Sequence, residues 1–270
     1  MSFVYHKWTG LRRGFMTACG KDILGKEFTT NRCGKCIVVD YVDRHNVYVA
    51  FKDYQNVVNC RLCNLMKGEV TNPLQPLRYG KGYLGIGRHS FKDKKVASLW
   101  SGIMTRSFNL NFKGKYPTYK DVEVCEEWLN FQNFAEWCYN QKFFFFFDKN
   151  NEPYELDKDI LVRGNKVYSP KTCTFVPKEI NNLFKFSNRQ NKKNPLGVHL
   201  KKSLNKFGAS CKNSNGSKIH IGYFDTKDEA FFAYKKVKEC AIKLVAEKYR
   251  GFIDHNTYQA ILGWEITFDD

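Results

Sequence analysis

The sequence predicts an α+β protein with a small N-terminal β domain, a helical and ββα middle region, and a C-terminal three-stranded antiparallel sheet backed by a helix. β-Rich runs alternate around a polar turn near the N-terminus, apolar residues recur at helical spacing in the middle, and three short strands precede a long helix near the C-terminus. A chain of 270 residues is long enough for two or three such domains. We place them at residues 1–86, 87–186 and 187–270.

The N-terminal domain is predicted from two β-rich runs, residues 37–41 and 47–51, on either side of a polar turn. The segment "MKGEVTNPLQPLRYGKGYLGIG" that follows is dense in Gly and Pro. This composition predicts an ordered connector without a helix or strand of its own.

Two C-x-x-C pairs flank this predicted hairpin, with 23 residues between them. They consist of Cys33 with Cys36, and Cys60 with Cys63. The arrangement suits a tetrahedral four-cysteine site for a structural Zn²⁺. The alternative is four thiols that are simply buried or at the surface. The other cysteines are scattered, and we interpret them as core residues: Cys19, Cys125, Cys138, Cys173, Cys211 and Cys240.

The middle region contains two helical patterns and a run of phenylalanines. Apolar residues at helical spacing predict helices that bury one face in the core. The residues of the two stripes are Val96, Leu99, Trp100 and Ile103, and then Trp128, Phe131, Phe134 and Trp137. Residues 143–147, "FFFFF", predict a fully buried strand or helix end, because such a run is an aggregation hazard when exposed.

The charge is the strongest bulk signal for function. The formal net charge is +17 and the pI is about 9.4, which favours a polyanionic partner, above all nucleic acid. The alternative is a charged surface that only keeps the protein in solution. A membrane is disfavoured because no apolar run reaches the length of a bilayer span and no basic amphipathic helix stands apart. Without a secretory signal, we expect a cytoplasmic protein whose ten cysteines do not form a disulfide framework.

The C-terminal module reads as three short strands followed by a long helix. Ser214-Asn215-Gly216 predicts the hairpin turn between the second and third strands, and Thr226 with Glu229 predicts a capping box at the start of the helix. One apolar helix face is expected to pack on the sheet. Its residues are Ala230, Tyr234, Val237, Ala241 and Leu244.

This module resembles the AP2 DNA-binding domain over about 60 residues. The matching segments are "GV" at 197–198, "FGA" at 207–209, "IGYFDT" at 221–226, "EA" at 229–230 and "AY" at 233–234, with Phe207 where the family usually has Trp. The resemblance implies a sheet that lies in the major groove of double-stranded DNA.

Strand alternation independently predicts which residues share the polar face of that sheet. They are His199, Lys201, Lys206, Ser210, Lys212, Lys218 and His220. Residues 185–250 contain 16 Lys or Arg against 5 Asp or Glu, as expected of a surface that follows phosphates. The alternative is a solvated, charged sheet face without a ligand.

Residues 154–182, "YELDKDILVRGNKVYSPKTCTFVPKEINN", predict two strands, a Gly-Asn turn and a helix. This segment resembles the HNH nucleases of phage genomes, which are often joined to an AP2 domain. The segments "WSGIMTR" at 100–106 and "YPTYKDVEVCEEWLNFQNF" at 116–134 also resemble that branch. The resemblance implies a homing-type endonuclease that acts with Mg²⁺ or Mn²⁺ in the cytoplasm of an infected bacterial host.

The resemblance also implies roles for individual residues. Asp157 matches the metal-binding acid, and Lys158 stands at the position of the catalytic histidine. Asn165 matches the asparagine that fixes the turn, and Thr172 stands where a structural Asn is common. Asn181 or Asn182 matches the third position, usually His or Asn.

Lys158 is the main departure from the HNH pattern. A lysine is ordinarily protonated at neutral pH, so it cannot accept a proton from water, although it can hold a phosphate beside Asp157. His89 is either a substitute base or a packing residue. Three functions therefore stay open: an HNH-type endonuclease, a catalytically inactive DNA-binding regulator or counter-defence protein, and an interaction protein whose N-terminal β domain recruits another protein.

Overall fold

The structure is a computed structural model that describes residues 22–184, 194–212 and 217–268. It is an α+β protein, and the chain divides into two compact units, Met1–Arg88 and His89–Asp270. Across the three described ranges, no helix combines the length and the apolar character that crossing a membrane would need.

The N-terminal unit is built on a four-stranded antiparallel sheet in the order β1-β2-β3-β4. Its strands are Glu27–Thr30, Gly34–Asp43, Asn46–Phe51 and Asn56–Cys60, and helix α1 is Leu62–Met66. On β3 the alternate residues Val47, Val49 and Phe51 are buried, because successive side chains of a strand point to opposite faces. The predicted hairpin is confirmed. The Gly/Pro-rich connector begins at Met66, the last residue of α1, and continues without a further helix or strand; an isolated bridge joins Arg78 to Gly82.

The second unit begins with helices whose N-termini are capped by their own sequence. Asp93 accepts a hydrogen bond from the Lys95 amide at the start of α2, and Asn130 accepts one from the Gln132 amide at the start of α4. The helices are α2 Lys94–Phe108, α3 Leu110–Lys115 and α4 Phe131–Asn140, with single 3₁₀ turns at Pro117–Tyr119, Glu126–Leu129 and Lys142–Phe145.

The segment that resembles the HNH nucleases forms short paired strands and a short helix. Strands β6 and β8 pair antiparallel, and β7 pairs in parallel with β5. The elements are β5 Glu123–Val124, β6 Glu155–Asp157, β7 Val167–Tyr168, β8 Thr174–Val176 and α5 Lys178–Leu183. The Gly164-Asn165 turn therefore lies between two strands that pair with other strands and not with each other, and the same β6–β7 connection carries Lys158.

The C-terminal part is a three-stranded antiparallel sheet in the order β11-β10-β9, followed by two helices. Its elements are β9 Val198–Lys201, β10 Lys206–Lys212, β11 Lys218–Phe224, α6 Lys227–Lys248 and α7 His255–Leu262, with a 3₁₀ turn at Lys202–Leu204. The predicted capping box is confirmed: the Glu229 amide donates to the Thr226 hydroxyl, and the Thr226 amide donates to the Glu229 carboxylate. The predicted turn at Ser214-Asn215-Gly216 and Cys19 lie outside the described residues.

A single hydrophobic core runs through the second unit. It includes Trp100 and Phe131 from the helical region, Phe175 from the ββα segment, and Ala209 and Ile242 from the sheet and helix α6. The regions predicted as residues 87–186 and 187–270 therefore share one core.

Three local predictions were wrong. The phenylalanine run is not fully buried: Phe143 and Phe144 are buried, but Phe145 is exposed because the 3₁₀ turn spreads consecutive side chains around its axis, and Phe147, beyond the turn, is exposed as well. Leu244 is 66% exposed, because the buried stripe of α6 continues instead through Ile242, Val245 and Ala246. Cys240 is exposed on the same helix, and Cys125 is only half-buried.

Candidate nucleic-acid interface

The outward face of the β9–β11 sheet gathers all seven polar residues predicted from strand alternation. Helix α6 packs on the other face, against Val198, Ala209 and Cys211, which are buried. The register pairs His199 with Gly208, Lys206 with Lys201, Ser210 with His220, and Lys212 with Lys218. These cross-strand pairs place four lysines, two histidines and a serine on one face, where their side chains are exposed or half-exposed.

A β-bulge keeps this face continuous. The register shifts between Ala209 and Ser210, so that β11 contributes one extra residue, and His220 and Tyr223 both end on the outward side. Their rings lie 4.5 Å apart. A Cβ atom added to Gly208 would lie 2.6 Å from Nε2 of His199 and 3.3 Å from the ring of Tyr223, so both side chains cover that glycine. The middle of the face is therefore aromatic, and the lysines lie at the two ends of its strands.

Tyr223 is a member of this face that the sequence reasoning missed. It is 42% exposed and directly opposes Gly208. Strict alternation from His220 assigns Tyr223 to the buried face, and only the bulge returns it to the outward side. Lys238, on the buried side of α6, was also missed, and burial lowers the pKa of its ammonium group.

A second polar feature of this unit is a groove of about 1350 Å³ beside the ββα segment. Its lining includes seven cationic and four acidic side chains. The cationic residues are Lys94, Lys95, Arg106, Lys158, Arg163, Lys166 and Lys178. The acidic residues are Glu152, Glu155, Asp157 and Asp159. The formal charge of the lining is therefore +3.

Asp157 lies in this groove as the anchor of a tight turn. Its Oδ1 accepts hydrogen bonds from the backbone amides of Asp159, at 2.7 Å, and Ile160, at 2.8 Å. Burial raises the pKa of the Asp157 carboxyl above its usual range, although both hydrogen bonds act in the opposite direction. One oxygen of the predicted metal-binding acid is therefore committed to the local backbone.

Lys158 closes the same turn from the other side. The residue is 7% exposed, and its Nζ lies 2.5 Å from Oδ1 of Asp159 and 3.0 Å from the carbonyl oxygen of Asn165. Asn165 in turn donates through Nδ2 to the carbonyl oxygens of Lys158 and Val167, each at 2.8 Å. Lys158 thus acts as an internal brace of the turn rather than as a group presented to a phosphate.

The other residues carried over from the HNH resemblance also make internal contacts. Asn181 donates through Nδ2 to Oε2 of Glu155 at 2.5 Å. The Thr172 hydroxyl donates to the carbonyl oxygen of Val167 at 2.7 Å. His89 lies 2.7 Å from Oε2 of Glu136 and stacks on Tyr139, and it is not among the described residues that line the groove. This packing role is the second of the two interpretations of His89.

The donor set around Asp157 does not fit a divalent cation in this arrangement. Among the described residues, no three of His, Cys, Asp or Glu come together as a group that could hold a metal ion. The nitrogen of Lys158, a hydrogen-bond donor, stands where the HNH pattern has an imidazole that can accept a proton or a metal.

The two cysteine pairs come from different elements of the N-terminal unit, Cys36 from β2 and Cys60 from β4. Cys36 is opposite Phe51 and Cys60 is opposite Val47, four residues further back along β3. Burial and the neighbouring thiols of Cys36 and Cys63 raise the pKa of the Cys60 thiol to about 11, but no three of the described His, Cys, Asp and Glu residues form a group that could hold a metal ion. Cys33 also accepts a hydrogen bond through Sγ from the Asn72 amide at 3.2 Å. This arrangement agrees better with packed thiols than with four zinc ligands.

No protein-family model, curated protein or solved structure matches this chain.

Proposed function

We propose that this protein binds double-stranded DNA, and that the outward face of the β9–β11 sheet lies in the major groove. The observation that carries the proposal is the collection of Lys201, Lys206, Lys212 and Lys218 on one face of a rigid, helix-backed sheet. A major groove is about 12 Å wide and admits a small β structure. Lysines at the ends of the strands would then reach the phosphates on either side of the groove.

The chemistry of the face supports both positioning and base contact. Lysines neutralise phosphates and release counterions, which supplies affinity without sequence preference. His199, Ser210 and His220 are shorter, and they lie nearer the middle of the sheet, where side chains can reach base edges. One of the four lysines, Lys206, is 3.1 Å from Asp225 and is therefore partly neutralised within the protein.

A gel-shift assay with a salt series tests this proposal. Duplex binding that weakens steeply as salt increases is the expected result, since phosphate contacts dominate the affinity. Absent or salt-insensitive binding would overturn the proposal. It would favour the alternative hypothesis of an interaction protein whose N-terminal β domain recruits another protein.

For the ββα segment, the same geometry favours DNA binding without cleavage over an HNH-type endonuclease. The supporting observation is the mutual bonding of Lys158 and Asn165, which uses the residue at the histidine position as a structural brace. Hydrolysis needs a group that accepts a proton from water, whereas Nζ of Lys158 donates to Oδ1 of Asp159 and to the carbonyl oxygen of Asn165.

Incubation of purified protein with supercoiled plasmid and Mg²⁺ or Mn²⁺, beside an Asp157→Asn variant, tests this second part. Asn keeps the oxygen that caps the turn but removes the carboxylate. We expect no nicking by either protein. Nicking by the native protein but not by the variant would instead support the endonuclease hypothesis, with Asp157 as a residue of its metal site.

A further inference from the structure

We propose that the groove beside the ββα segment binds single-stranded DNA, as a second nucleic-acid site that functions independently of the duplex-binding sheet. The groove belongs to the same compact unit as the sheet, but its lining shares no residue with the seven polar residues of the outward face.

The size of the groove indicates an extended ligand. Its volume of about 1350 Å³ exceeds the roughly 300–1,000 Å³ typical of small-molecule pockets. A duplex is about 20 Å across and presents its bases inward, whereas a single strand can follow a recessed groove with its backbone and turn its bases toward the walls.

The charges of the lining indicate a polyanionic ligand, because each of the four acidic side chains already has a hydrogen-bond partner within the protein. Glu152 accepts from Lys178 at 2.7 Å, Glu155 accepts from Asn181, and Asp159 accepts from Lys158. The Asp157 carboxyl caps its own turn. Two of these contacts are ion pairs that also use Lys178 and Lys158, so five cationic side chains of the lining remain against the carboxylates of Glu155 and Asp157. Of these five, Lys94 and Lys166 are exposed to solvent.

Phe147 supplies the other feature of a single-strand site, an accessible aromatic ring among cations. It lines the groove, is 54% exposed, and lies with its ring centre 5.5 Å from Nζ of Lys95. Nucleic-acid bases stack on such rings irrespective of sequence, whereas duplex DNA hides its base faces. The exposed ring and the exposed lysines together are what a single strand requires.

Deep in the groove, Arg106 provides a fixed cation. Its guanidinium lies 5.3 Å from the ring centre of Tyr168, whose buried ring also lies 5.8 Å from Nζ of Lys158. The Nε atom of Arg106 is buried and has no hydrogen-bond partner in the described part of the chain. Arginine presents a planar set of donors that suits a phosphate.

Fluorescence anisotropy with a labelled 20-nucleotide oligo(dT) tests the proposal, using Phe147→Ala and a Lys94→Gln/Lys166→Gln double variant. We expect Phe147→Ala to weaken binding by about fivefold or more, through lost stacking. The double variant should reduce the magnitude of the slope of log K against log salt by about 0.7 for each lysine.

Matched controls separate this site from general charge and from the sheet. Phe145→Ala removes a ring of equal type that is 59% exposed but outside the groove lining. Lys236→Gln/Lys243→Gln removes two exposed charges from α6. Binding of oligo(dT) that is absent in the native protein, or equal in the groove variants and these controls, would overturn the inference. Duplex binding by the groove variants should remain, so failure of the groove proposal and failure of the sheet proposal give different results.

Discussion

Lys158 and Asn165 bond to each other in both directions: Nζ of Lys158 donates to the Asn165 carbonyl oxygen at 3.0 Å, and Nδ2 of Asn165 donates to the Lys158 carbonyl oxygen at 2.8 Å. Two residues seven positions apart thereby close the connection between β6 and β7. In an HNH nuclease the first of these positions would hold a catalytic histidine. In this protein it holds the turn together.

Asn165→Ala should destabilise the second unit by about 2 to 3 kcal/mol. The side chain makes three hydrogen bonds, to the carbonyl oxygens of Lys158 and Val167 and from the Val167 amide, and their loss leaves half-buried groups unpaired. Urea denaturation followed by tryptophan fluorescence measures the change, because four tryptophans lie in that unit. Asn150→Ala, at an exposed turn, is the control. Equal midpoints for the two variants would contradict the bracing role.

The Asp157 carboxyl should make the stability of the second unit depend on pH. Its pKa is raised in the folded protein by burial, so the folded state holds the proton more tightly than the unfolded state. The stability is then fully present below the ordinary value of 3.8 and decreases as the pH rises through the folded-state pKa. Asp157→Asn keeps an oxygen that accepts both backbone bonds but removes this dependence.

The free energy of unfolding of Asp157→Asn, relative to the native protein, should therefore increase as the pH rises from about 3 to neutrality. Asp148→Asn is the matched control, because Asp148 also accepts two backbone amides through Oδ1 but lies outside the β6–β7 turn. A native protein that becomes more stable than Asp157→Asn over the same pH range would contradict the direction of the pKa shift.

Protein purified without chelator should contain no stoichiometric zinc. No three of the described His, Cys, Asp and Glu residues form a group that could hold a metal ion, and Sγ of Cys33 accepts a hydrogen bond from the Asn72 amide. Elemental analysis of the purified protein measures the metal directly. One zinc per chain, lost together with folding in a Cys36→Ser variant, would show instead that the four cysteines form the site predicted from their spacing.

Sequence patterns predicted the elements better than they predicted the burial of single residues. Alternation along β9, β10 and β11 identified the seven outward polar residues, and Thr226 with Glu229 identified the start of α6, because both signals are local. Leu244 and Phe147 are exposed although they are apolar, and Lys158 is buried although it is charged. These outcomes depend on which neighbouring element covers each position, and no short window of sequence contains that information.

In the candidate site too, the sequence indicated the types of residue but not the contacts that they make. The types of residue in the ββα segment indicated a nuclease frame, but the partners of Lys158 are set by the turn geometry and by Asp159. The groove was not predicted, because Lys94, Arg106, Phe147 and Lys166 come from separate parts of the chain that only tertiary packing brings together.

The most direct test of the account is the salt dependence of duplex binding by a Lys212→Gln/Lys218→Gln variant. These two lysines are cross-strand partners on the outward face. If the face lies on DNA, the slope of log K against log salt should fall in magnitude by about 0.9 for each lysine. The variant Lys236→Gln/Lys243→Gln, with equal charge loss on the exposed side of α6, should keep the native slope. Equal slopes for both variants would contradict DNA binding through this sheet.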